Sequence, residues 1–137
     1  MLRLVLLVLA MGLVSPPALA DGPAVTIELN KLEANGSSCR AYLMMRNDAG
    51  AGFESLKLDL VMFDTDGVVS RRIAVEAAPL PAGKTSLKVF DIADQPCDGI
   101  SRMLLNDILD CHGAAGPRHD CLDLVETASR TTAPFIK

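Results

Sequence analysis

The sequence predicts an all-β protein: a small immunoglobulin-like antiparallel β-sandwich of six to seven strands, stapled by disulfides. Three observations predict it. Apolar and polar residues alternate with period two through several short segments. Turn-forming residues punctuate those segments about every eight to twelve residues. Four cysteines, an even number, follow a segment that reads as an export leader.

The leader comes first. Arg3 gives a positive start, Leu4 to Val14 is an almost unbroken apolar run, and Ala18-Leu19-Ala20 has the small-x-small form of a cleavage site. The apolar run is short for a bilayer span, and Pro16-Pro17 interrupts it. Residues 1–20 are therefore expected to be a cleaved secretory signal peptide. The mature chain is expected to start at Asp21 in the periplasm, with no stable membrane span. Arg3 stands alone, so a general export route is expected rather than a twin-arginine one. Residues 21–130 are read as one β-sandwich domain and residues 131–137 as a C-terminal tail that trails from it.

Each strand rests on its own pattern. Val25, Ile27 and Leu29 alternate with Thr26, Glu28 and Asn30, and Asn35-Gly36-Ser37-Ser38 makes the turn that follows. Cys39, Ala41, Leu43 and Met45 alternate with Arg40, Tyr42, Met44 and Arg46 before Asn47-Asp48-Ala49-Gly50 ends the strand. Leu56, Leu58, Leu60 and Met62 then alternate with Lys57, Asp59, Val61 and Phe63.

Asp66-Gly67 is a strong hairpin signal. With a two-residue loop, Leu60 faces Ile73, Leu58 faces Val75 and Lys57 faces Glu76. One face then gathers Leu58, Leu60, Met62, Val69, Ile73 and Val75. The other gathers Lys57, Asp59, Ser70 and Arg72. Arg71 falls on the apolar side near the turn, within reach of water.

Pro79 to Gly83 is a turn, and Thr85 to Ile92 a further strand. Ile100 to Leu109 fits both a helical and an alternating spacing. Strand is favoured because the neighbouring elements are strands. Cys121 to Arg130 is read as a last short strand.

The cysteines allow three pairings. Cys39–Cys97 and Cys111–Cys121 are favoured, because the nine residues between Cys111 and Cys121 include Gly113, Gly116 and Pro117 and can turn back on themselves. No Cys-x-x-Cys occurs, so a thioredoxin-type redox role has no support.

The segment from Tyr42 to Val69 resembles FxLYD-type immunoglobulin-like envelope domains. The match rests on the Asn47-x-x-Gly50 turn, the strand ending Met62-x-Asp64-x-x-Gly67, and the Pro81-Ala82-Gly83 turn. The whole chain also resembles a family of uncharacterised exported alphaproteobacterial proteins that carry the description "Tat pathway signal sequence domain protein". These resemblances imply a sandwich in the cell envelope and transfer no functional residues.

Composition narrows the function. The 137 residues carry a net charge of −4, which becomes −5 without the leader, and there is no Trp. Such a chain lacks the clustered Lys and Arg that phosphate contacts require, so no nucleic-acid partner is expected. The one chemically dense stretch is Asp110 to Cys121, which holds Cys111, His112, His119 and Cys121. Two thiolates and two imidazoles suit zinc or copper, whereas a disulfide leaves only the two His. Met44, Met45, Met62 and Met103 are candidate thioether ligands or core residues. Asp64-Thr65-Asp66 lacks the further acidic positions of a calcium loop and reads as turn chemistry.

No nucleophile elbow is present, and the only His residues lie in the Cys111–Cys121 loop, so no enzyme and no cofactor is expected. Val61, Phe63 and Phe90 either form an exposed contact patch or fill the space between two sheets. The expected function is a non-catalytic module that works by contact with another envelope protein. The alternative is periplasmic metal binding through His112 and His119 with Met44.

Overall fold

A computed structural model describes residues 14–16 and 24–137. The expected leader lies outside these residues apart from 14–16, and its cleavage site lies outside them. Among the described residues, no helix is long and apolar enough to cross a membrane.

The regular structure of the described chain is nearly all β, in two sheets that make a sandwich-like fold. Strands β1 (Val25–Asn35), β2 (Ser38–Asn47), β3 (Ser55–Phe63), β4 (Val69–Glu76) and β5 (Thr85–Ile92) run in sequence. After a 3₁₀ turn at Cys97–Gly99 come β6 (Arg102–Gly113), β7 (Gly116–Pro117), the one-turn helix α1 (Cys121–Leu124), β8 (Val125–Ser129) and β9 (Phe135–Ile136). The first sheet has the order β5-β2-β1-β8. The second has the order β4-β3-β6-β7, with β9 also on β6. Ile100 to Leu109 therefore contributes a strand, as favoured.

The β1–β2 hairpin closes through Gly36 and Ser37. Gly36 sits at φ +60°, a left-handed angle that costs glycine nothing and matches the twist of the flanking strands. Midway, the register slips between Leu29 and Lys31. One extra residue there restores Leu32 to the inner side, packed against the core.

The β3–β4 pairing is the expected one: Leu60 opposite Ile73, Leu58 opposite Val75, and Lys57 opposite Glu76. The turn differs in detail. Asp64 N–H donates to Val68 O, and Gly67 N–H donates to Asp64 O, so three residues close the loop instead of two. A bulge between Met62 and Phe63 then takes up the offset, and the strand body keeps its register. Asp64 Oδ1 accepts the N–H groups of Asp66 and Val68, which is the expected turn chemistry.

The core lies between the sheets. Ile27, Leu29, Leu43 and Met45 come from the first sheet, and Leu56, Leu58, Leu60, Met62, Met103 and Leu105 from the second, all at most 1% exposed. Leucine and methionine thus fill the volume that aromatic residues occupy in other sandwiches. Asn47 is buried and fully used. Its amide nitrogen donates to Ala51 O and Leu80 O, and its Oδ1 accepts Ala49 N–H. The Pro79–Gly83 turn brings Leu80 into the core, bonded in both directions to the Phe53 backbone.

Several expectations are corrected. The sheets are mixed and not purely antiparallel, because β8 runs parallel to β1 and β9 parallel to β6. Cys121 to Leu124 is helical, so the strand expected from Cys121 begins only at Val125. Residues 131–137 do not trail. Ala133 and Phe135 are buried, and β9 occupies an edge of β6. Phe135 explains this, since leaving its ring in water would forfeit about 1.5–3 kcal/mol of burial. Arg71 is exposed near the turn, as expected, and also gains partners. Its guanidinium donates to the carbonyls of Ala93 and Asp94 and ties β4 to the chain just beyond β5.

Candidate functional site

The favoured disulfides, Cys39–Cys97 and Cys111–Cys121, are both formed. The second closes the loop singled out from the sequence. Within it, Arg118 N–H donates to Cys111 O, and the Arg118 guanidinium forks onto Asp120 at 3.1 and 2.9 Å. That pairing holds the Asp120 carboxyl below its ordinary pKa. His119 is exposed on a cavity of about 280 Å³, shared with Asp107, Asp110, Arg118 and Leu122. His112 lies at the other end of the loop, its Nδ1 3.4 Å from Asp110 Oδ1.

This arrangement removes the thiolate pair from any metal set, because both sulfurs are in the bridge. Among the described residues, no three His, Cys, Asp or Glu side chains are grouped to hold a metal ion. Met44 belongs to β2 of the first sheet and His112 to β6 of the second, so the topology does not bring them together. Met45, Met62 and Met103 are at most 1% exposed and serve as core.

The candidate patch is also redistributed. Val61 is buried, Phe63 is half-buried beneath the Arg102 guanidinium, and Phe90 packs against the core. An exposed apolar strip lies instead on the outer face of the first sheet. There Met44 stands opposite Leu87 and Tyr42 opposite Val89, with Met44, Leu87 and Val89 exposed by 40, 58 and 41%. Charged residues frame the strip: Arg46, Glu28 and Lys31 on its flanks, and the Arg40–Asp91 pair at one end. Alternation had placed Leu87 and Val89 on one face. That face is exposed on the edge strand β5 and also at Met44 of the interior strand β2.

The sequence put Asp59 and Arg72 on one face, but not the burial of Asp59 or its bond to Asn106, and a second polar cluster escaped it altogether. Asp59, 2% exposed, accepts two bonds from Arg72 (2.9 and 2.8 Å) and one from Asn106 (2.7 Å). Arg72 is the main reason its carboxyl lies below the ordinary pKa. The second cluster joins Ser55 of β3, Glu76 of β4 and Asp110 of β6 at one end of the second sheet. Burial works against the charge on Glu76. Hydrogen bonds from Leu56 N–H, Ala78 N–H and the Ser55 hydroxyl outweigh it, and its pKa is lowered. These partners lie 21 and 55 residues from Ser55 in sequence, so no local pattern announces them.

In comparisons with known proteins, no protein-family model matches the chain, and neither does any curated protein or any solved structure.

Proposed function

We propose that this protein is an exported, disulfide-stapled contact module that binds another protein of the cell envelope through the outer face of its first sheet. The observation that supports the reading is the Met44–Leu87–Val89 strip, apolar at its centre and charged at its rim, as protein interfaces are. Contact through the face is favoured over strand addition to β5. Lys88 lies on the inner side of that edge strand, a placement that opposes edge-to-edge pairing. The leader pattern and the two disulfides support an oxidising, extracytoplasmic setting.

A photo-crosslinking residue placed at Leu87 or Val89 in growing cells tests this reading, with Thr65 in the exposed β3–β4 turn as the control position. The expected result is an adduct to a different protein from Leu87 and Val89 and none from Thr65, abolished by Met44→Glu without loss of the folded protein. No adduct, an equal adduct from Thr65, or an adduct only to a second copy of the chain refutes it.

A further inference from the structure

The chain offers an oxidant few targets. It has no Trp, and all four cysteines are in the two disulfides. That leaves the thioethers as the soft, readily oxidised groups. Among the described residues, Met45, Met62 and Met103 are at most 1% exposed, whereas Met44 is 40% exposed. Met44 and Met45 are adjacent in β2, and the pleat of the strand sends Met45 into the core and Met44 out of the first sheet.

Met44 also stands within the apolar strip. In the strand register it lies opposite Leu87 on one side and Glu28 on the other. The thioether that the fold leaves open is thus on the contact face. We propose that Met44 is a site of reversible oxidation by peroxide, and that its conversion to the sulfoxide switches the contact off. The switch rests on the reading of that face as the contact surface, whereas the oxidation site rests on exposure and chemistry alone.

The step balances with hydrogen peroxide as the oxygen donor. A lone pair on Met44 Sδ attacks one peroxide oxygen. The S–O bond forms, the O–O bond breaks, and the second oxygen leaves as water after taking the proton of the first. Sulfur is oxidised by two electrons, and the peroxide is reduced by two. Two thiols of a methionine sulfoxide reductase reverse the change, giving back the thioether with a disulfide and water.

The consequence follows from hydrogen bonding. A thioether is a weak acceptor, whereas the sulfoxide is polar. In the free protein water serves the new oxygen, because Met44 is exposed, and the fold is unaffected. Against a partner that excludes water, the Leu87 and Val89 side chains offer it no donor, and an acceptor buried without a partner opposes the contact. A bound partner covers the sulfur, so the free chain is the one that reacts.

The test uses the purified secreted protein with a photo-crosslinking residue at Val89. It is treated with hydrogen peroxide, freed of oxidant and added to the cell-envelope fraction, so that the partner is never oxidised. Peptide mass mapping should show Met44 gaining one oxygen at least about ten times faster than Met45, Met62 or Met103. With an unchanged urea midpoint, the oxidised chain should form the Val89 adduct about tenfold less well. Two methionine sulfoxide reductases, one for each epimer, should restore it. No adduct even before oxidation overturns the contact and the switch together. An adduct that survives full oxidation of Met44 overturns the switch alone. So does oxidation of the core methionines in step with Met44, a lowered urea midpoint, or a loss that the reductases do not reverse.

Discussion

Removing the two disulfides one at a time should have unequal effects, and the fold sets the order. Cys39 and Cys97 are 58 residues apart, whereas Cys111 and Cys121 are 10 apart. If a bridge acts by restricting the unfolded chain, the loss is about 4.2 kcal/mol for the long loop and about 2.7 kcal/mol for the short one at 25 °C. The difference, about 1.5 kcal/mol, depends only on the ratio of loop lengths. Cys39, Cys111 and Cys121 are all buried and Cys97 is half-buried, so the paired alanine variants lose comparable packed volume. The assay is urea unfolding of C39A/C97A and of C111A/C121A against the parent. With a slope of about 1–3 kcal/mol per molar urea, the two variants should differ in midpoint by roughly 0.5–1.5 M, with C39A/C97A the less stable. Equal midpoints, or a larger loss for the short loop, would refute the chain-entropy reasoning and place the stabilisation in native contacts.

Three further outcomes are expected. Phe135→Ala should destabilise by about 3–5 kcal/mol in the same unfolding assay, since it empties a buried site beneath β9; an unchanged midpoint would mean that the C-terminal segment is not docked. Asp59 has a lowered folded pKa through Arg72, so its contribution is complete above the unfolded value of about 4 and is lost as pH falls through the folded one. Asp59→Asn should accordingly flatten the acid limb of thermal stability measured by calorimetry. Intact mass spectrometry of the secreted, unreduced protein should give a mass that starts at Asp21 and is four hydrogens short of the reduced chain; free thiols would contradict the pairing, and a retained leader would contradict export.

The sequence by itself determined the local architecture. Period-two alternation and turn residues located β2, β3 and β5 and gave the β3–β4 register, because each depends only on neighbours in the chain and on which face is apolar. The two cysteine pairs were readable as a preference, because loop length constrains them. Tertiary structure decided what depends on distant partners. Asp59 shares an alternating face with Lys57, yet only Asp59 is buried, because Arg72 and Asn106 close over it from the two flanking strands. Val61 and Leu87 are both apolar and outward-facing. Val61 is buried with Arg72 and Leu104 beside it on its two flanking strands, whereas Leu87 has only Met44 beside it and stays in water. The parallel seats of β8 and β9, and the meeting of Ser55 with Glu76 and Asp110, have the same origin: they follow from how the sheets are ordered in space, a long-range outcome of burying one core that no window of adjacent residues encodes.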